Sequence, residues 1–141
     1  MNLSGFLAQN ALPVENIKFV VSKRFLDEKG NPYEWEIRAL SEAENESLRR
    51  ACATRVPIPG KKNLYQKDTD YDKYLGKLAA ACTVFPDLNS EEMQNSYGVM
   101  GAENLLKAML TNGEYEAYLE KVQEVCGFGV SMQDQVDEAK N

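Results

Sequence analysis

Two stretches of the chain decide its fold: IKFVVSKRFL at positions 17–26 and YEWEIRAL at positions 33–40. In both, apolar or aromatic side chains largely alternate with polar or charged ones, which is the pattern of a strand with one buried face. The residues between them, DEKGNP at 27–32, are typical of a turn. The two stretches therefore predict a β-hairpin. Because two strands alone are only marginally stable in water, helices must cover its aromatic face.

Helices are predicted after the hairpin, because apolar residues recur there at helical spacing. The first helix has a capping box, with Ser41 as its N-cap and Glu44 reaching back. Gly127 stands where a glycine commonly follows the end of a helix. The predicted helices cover, in chain order, residues 42–55, 68–84, 90–97, 102–110 and 114–126. We also expect a short strand at residues 62–67 that pairs with the hairpin and gives a small three-stranded sheet.

The domain organisation follows from length and composition. A chain of 141 residues fits one compact domain. We expect residues 1–128 to form a single α+β domain, in which several mostly C-terminal helices pack against the N-terminal hairpin. Residues 129–141 are polar and acidic without any period, so we expect a disordered tail there.

Charge and hydropathy narrow the set of partners. The formal net charge is -6 and no sustained basic run is present, so nucleic acid is not an expected partner. No apolar run approaches the length of a membrane-spanning helix, and the N-terminus does not have the pattern of a signal peptide. We therefore expect no membrane association and a cytoplasmic location.

The sequence offers no recognisable catalytic or metal-binding motif. It contains no histidine, the commonest general base and metal ligand. The acidic run that begins at Asp68 resembles the start of an EF-hand loop. However, Lys73 and Ala79 stand where such a loop needs glycine and glutamate. We expect a non-enzymatic protein without a cofactor. The chain has three widely spaced cysteines, Cys52, Cys82 and Cys126. We expect each to pack in the core as a small apolar side chain.

A family resemblance rests on a block in the second half of the chain. The block begins with FPDL at 85–88, continues with QNSYGVMGA at 94–102, and ends with GEY at 113–115. Earlier pieces agree in order, among them VSKRF at 21–25 and WEIRA at 35–39. Over roughly residues 3 to 128, the sequence resembles the XkdN-like tail assembly chaperones of phages and phage-like elements of Gram-positive hosts.

The resemblance implies a function in tail assembly. Such a chaperone binds the tape measure protein, a long helical chain that sets tail length, and keeps it soluble until the tail tube assembles around it. The resemblance also implies a non-enzymatic protein that is absent from the mature virion. A frameshifted longer form of the chain and the tail tube protein are further candidate partners. The alternative is a structural tail adaptor or completion protein that stays in the particle.

The client surface is expected on the helices between Ser90 and Cys126. A group of methionines lies there beside a helix break flanked by Gly98 and Gly101, and methionine adapts to varied partners. The candidate client-binding residues are Met93, Tyr97, Met100, Leu106, Met109 and Tyr115.

Overall fold

The computed structural model describes residues 2–127 as an α+β domain, which confirms the predicted fold class. The predicted tail at 129–141 lies outside the described residues. A 3-10 turn at Ser4–Phe6 precedes the other elements. These are, in chain order, β1 (Ile17–Phe19), β2 (Trp35–Ile37), α1 (Glu42–Ala51), β3 (Ala53–Pro57), β4 (Tyr65–Thr69), α2 (Tyr71–Cys82), β5 (Thr83–Phe85), α3 (Glu91–Tyr97), α4 (Ala102–Met109) and α5 (Asn112–Val125).

The predicted hairpin is present, but its strands are shorter than the alternating pattern. β1 and β2 are antiparallel, with Ile17 opposite Ile37 and Phe19 opposite Trp35. The chain leaves the ladder after Phe19 and forms a long loop, which is closed near its tip by a bridge between Leu26 and Pro32. Between the ladder and this bridge, Arg24 donates to the carbonyl of Met109 and to the carboxylate of Glu114, so the loop contacts the helices.

The third strand of this sheet is β5, so the sheet order is β1-β2-β5. The prediction that residues 62–67 join the hairpin is therefore wrong. The predicted helix at 68–84 is also too long, because α2 ends at Cys82 and the chain continues directly into β5. Thr83 and Phe85 favour extended backbone, and Pro86 cannot continue a helix.

A second hairpin stands apart from the core. β3 and β4 are antiparallel, with five paired positions that run from Ala53 opposite Thr69 to Pro57 opposite Tyr65. The helix predicted to reach position 55 ends earlier, because the residue before each of two prolines disfavours helical backbone and Val56 favours a strand. Nearly all residues of both strands are exposed.

The core lies between the β1-β2-β5 sheet and helices α2, α4 and α5. Its largest fully buried side chains include Trp35 and Tyr118, whose rings meet edge to face with centroids 5.2 Å apart. The Thr83 hydroxyl donates to the carbonyl of Ala79 and accepts from the Tyr118 hydroxyl, at 2.7 and 2.6 Å. This pair of bonds joins α2, β5 and α5 at one point.

Side-chain caps fix where the helices begin. The predicted capping box of Ser41 and Glu44 is present, and Thr111 and Glu114 form a second one at α5. Asp70 and Ser90 cap α2 and α3 by accepting from backbone amides in the first turn. Within residues 2–127, no helix is long and apolar enough to cross a membrane.

Candidate functional site

An apolar groove of about 500 Å³ opens where the sheet meets α3. This volume lies within the range of pockets that bind ligands or side chains of a partner. The groove is lined by Phe25, Tyr33, Trp35, Phe85, Pro86, Asp87, Ser90, Met93, Tyr97 and Met109.

The sheet supplies the aromatic wall of the groove. Trp35 on β2 is buried, whereas Tyr33 and Phe85 are 41% and 45% exposed. The rings of Tyr33 and Phe85 contact each other at a tilt of 59°, with centroids 5.8 Å apart. A cis peptide bond joins Phe85 to Pro86. Large aromatic side chains are therefore displayed here with much of their surface open to a partner.

Helix α3 supplies the opposite wall. Met93 and Tyr97 are four residues apart on α3, so they lie on the same face of the helix. Ser90 caps the helix by accepting from the amide of Met93. The side chain of Gln94 links the segments before and after α3. It donates to the carbonyl of Leu88 at 2.9 Å and accepts from the amide of Gly101 at 3.0 Å. These bonds hold α3 and the following turn in one arrangement.

Arg24 anchors the β1–β2 loop against the helices. Its guanidinium donates to Oε1 of Glu114 and to the carbonyl of Met109, both at 2.7 Å. The bonds that Arg24 and then Ser22 donate to the Glu114 carboxylate lower its pKa to about 2. The guanidinium also lies 5.0 Å from the centroid of the Phe25 ring. Arg24 thus fixes the position of Phe25 at the edge of the groove.

The groove is lined mostly by apolar and aromatic side chains. Asp87 is the only acidic or basic side chain among its lining residues. Among the described residues, no group of three or more histidine, cysteine or acidic side chains could hold a metal ion.

The three cysteines lie outside the groove. Cys52 and Cys82 are buried as predicted, and Cys126 is half-buried with its sulfur 3.5 Å from that of Cys82. The hydrogen bond from Cys82 lowers the pKa of Cys126.

The sequence matches the family model described as "Phage XkdN-like tail assembly chaperone protein, TAC" over residues 3–140. The chain belongs to the XkdN-like phage tail assembly chaperone family. One relative is the phage-like element PBSX protein XkdN of Bacillus subtilis. It is 29% identical over 141 residues, which cover 99% of this chain and 94% of XkdN. Another is YqbN of the same organism, which is 26% identical with coverage of 99% and 93%.

A crystal structure of the protein YqbN has the same fold as this XkdN-like chain. The TM-score is 0.77 at 23% sequence identity, and the match covers 90% of this chain and 97% of the YqbN chain. At this identity the likeness establishes the fold. The match to the family model confirms the family resemblance that the sequence indicated, and the likeness to YqbN shows that this fold occurs in a solved structure.

The structure brings together three of the six candidate residues of this XkdN-like chaperone. Met93, Tyr97 and Met109 all line the groove, with Tyr97 40% exposed and Met109 only 5% exposed at its floor. Met100 is 85% exposed in the turn after α3, outside the groove. Leu106 is fully buried in the core, so it has no surface with which to contact a partner.

Tyr115 lies elsewhere on the molecule. It is half-buried against the core on α5, and burial, followed by the charge of Glu103, raises the pKa of its hydroxyl. Sequence reasoning missed the aromatic wall of the groove, to which β2 and β5 contribute Trp35 and Phe85. The alternation of residues 33–40 indicated an apolar face, but it did not indicate that part of this face stays uncovered.

Proposed function

We propose that this XkdN-like chaperone binds the tape measure protein of its phage or phage-like element in the apolar groove. It keeps the client soluble until the tail tube assembles around it. The observation that carries the proposal is the exposure of Tyr33, Phe85 and Tyr97 around one groove in a member of a tail assembly chaperone family. Exposed aromatic side chains grouped in this way are typical of binding surfaces.

The chemistry of the groove suits an amphipathic helix as the client segment. Such a helix presents apolar side chains at i, i+3, i+4 and i+7, and it binds by placing them in a groove. A volume of about 500 Å³ accommodates a few large side chains of this kind. Client contacts are assigned to Met93, Tyr97 and Met109, with Met100 extending the surface beyond α3. Leu106 and Tyr115 support α4 and α5 by packing.

The charge of the chain explains how binding favours solubility. The net charge of -6 adds repulsion between complexes, while the groove covers apolar stripes that otherwise aggregate. Several copies along a repetitive client hold it more tightly than one copy does. In this proposal the protein is non-enzymatic, works in the host cytoplasm and leaves before the virion is complete. A frameshifted longer form of the chain and the tail tube protein are further partners.

Co-expression with the tape measure protein from the same genome tests the proposal. With the wild-type chain, the tape measure protein should remain in the soluble fraction and co-purify with the chaperone. Tyr97→Glu and Phe85→Glu place a charge at the groove and should weaken co-purification by at least about tenfold. The matched control is Tyr65→Glu on β4, because Tyr65 is 56% exposed and lies outside the groove.

Two results would overturn the proposal. In the first, the tape measure protein is equally soluble without the chain. In the second, folded groove variants bind the client as well as Tyr65→Glu does. The composition of purified particles separates the chaperone from a structural adaptor or completion protein, because only an adaptor or completion protein is retained in the finished tail.

A further inference from the structure

The N-terminal arm, residues 2–14, exposes apolar side chains that have no partner within the described part of the chain. Phe6, Leu12 and Val14 are 84%, 92% and 77% exposed, and Leu3 is 59% exposed. The first residue that packs against the core is Phe19. A soluble monomer rarely exposes a contiguous group of this kind without a use for it.

The arm nevertheless has a defined local shape. Its 3-10 turn is closed by backbone bonds from Phe6 to Leu3 and from Leu7 to Ser4, and the Asn10 side chain donates to the carbonyl of Ser4 at 2.8 Å. These bonds link residues of the arm to one another. The part of the arm up to residue 11 is therefore a preformed segment, which loses less conformational freedom on binding than an unstructured one.

The arm joins the sheet at the end of the β1–β2 ladder that does not line the groove. In the β1–β2 ladder, Phe19 lies opposite Trp35, which lines the groove, and Ile17 lies opposite Ile37 at the other end. The arm precedes Ile17, so it joins the sheet at the Ile17–Ile37 end of the ladder and not at the end that contains Trp35. Binding its own groove would require the arm to reverse direction across the sheet.

Charge also favours the arm as the contact between copies. The formal net charge of -6 makes two copies repel each other. Residues 2–14 contain no acidic or basic side chain, so this segment approaches another copy without adding to the repulsion. The groove is lined mostly by apolar and aromatic side chains, and a volume of about 500 Å³ holds roughly three groups of the size of benzene.

We propose that the N-terminal arm of one copy docks in the apolar groove of a second copy, so that the chain associates with itself by arm exchange. Reciprocal exchange gives a symmetric dimer, and one-way exchange gives a ring or a short filament. The inference concerns the groove that the proposed function assigns to the client. However, it is tested on the chaperone alone, so its failure and that of client binding are separate observations.

Sedimentation and light scattering of the purified full chain, without client, test arm exchange. The wild-type chain should form dimers or larger species whose fraction rises with protein concentration. Phe6→Glu in the arm and Tyr97→Glu in the groove should each weaken association by at least about tenfold, because each removes an apolar contact and buries a charge. Gln9→Glu is the matched control, since it adds the same charge to the arm but leaves its apolar side chains in place.

Mixing the two variants gives the decisive result. The Phe6→Glu chain keeps its groove and the Tyr97→Glu chain keeps its arm, so together they should form a mixed complex although each alone is monomeric. Contact between two arms or between two grooves cannot give this recovery. The proposal is overturned if the wild-type chain stays monomeric, if either variant associates like wild type, or if the mixture stays monomeric. Phe6 is 84% exposed, and circular dichroism of each variant verifies that it is folded.

Discussion

The β1–β2 hairpin and the β3–β4 hairpin are both antiparallel, but they differ in what covers them. The β3–β4 ladder has five paired positions and the β1–β2 ladder has three. Yet the shorter ladder contains the buried residues Trp35 and Ile37, whereas the longer one is nearly all exposed. The number of backbone pairs in a hairpin and the burial of its side chains therefore vary independently in this chain. The first hairpin depends on the core, and the second depends on its own hydrogen bonds.

The largest effect should come from removing the side chain that ties the first hairpin to the core. Trp35→Ala leaves a cavity beside Tyr118 and should lower the free energy of unfolding by about 3–5 kcal/mol. Urea denaturation measures this loss. The matched control is Tyr65→Ala in the second hairpin, where an exposed aromatic is truncated and we expect a loss below about 1 kcal/mol. Equal losses would contradict the contrast between the two hairpins.

An intermediate effect should come from the ion pair that anchors the first hairpin's loop. The pKa of Glu114 in the folded chain is about 2, chiefly because Arg24 donates to its carboxylate. A depressed pKa contributes stability above the unfolded value of about 4.3, and this contribution is lost as pH falls toward 2. Glu114→Gln should therefore be less stable than wild type at pH 7, and it should lose less stability between about pH 5 and pH 2.

Glu44→Gln provides the control for this pH dependence. Glu44 also has a pKa of about 2, chiefly because Arg38 donates to it, but it belongs to the cap of α1. Both variants should flatten the pH profile in acid. Only Glu114→Gln should speed hydrogen exchange of the backbone amides at positions 24 and 25. Similar exchange rates there in the two variants would show that Arg24 does not hold the loop.

The smallest effect should come from substitutions in the second hairpin. Lys67 lies opposite Arg55 in the β3–β4 ladder, and both are exposed. Lys67→Ala should change the free energy of unfolding by no more than about 0.5 kcal/mol, because it removes no buried contact. Thermal unfolding followed by circular dichroism is sufficient to measure it. A loss above about 1 kcal/mol would indicate that this hairpin packs against another part of the molecule.

Local signals in the sequence predicted the elements that depend on neighbouring residues. Alternation predicted β1 and β2, the Ser41 capping box predicted the start of α1, and Gly127 was placed correctly after α5, with a φ of 83°. Each of these features is determined by residues close together in the chain. Local physical rules were therefore sufficient to locate them.

Pairings between distant segments were not predictable in the same way. β5 is a three-residue strand that continues directly from α2, so its first two residues, Thr83 and Val84, were included in the predicted helix. Its pairing with β2 depends on how the helices pack. A local sequence pattern does not indicate that packing. The aromatic wall of the groove was not predicted for the same reason. Met93 and Tyr97 were recognised on one helix, but the facing Phe85 belongs to the strand that was missed.

The β3–β4 hairpin joins the rest of the domain at a single point, which is useful for protein engineering. The hairpin leaves the domain after Cys52 and returns at Asp70, where the amide of Asp70 donates to the carbonyl of Cys52 at 2.9 Å. A segment whose two ends meet at one point can change in length without displacing what lies on either side. The turn at 58–64, at the far end of β3 and β4, is therefore the natural place to insert a fluorescent reporter. Such a fusion leaves the groove and the N-terminal arm unaltered, so assembly can be followed without a tag at either end.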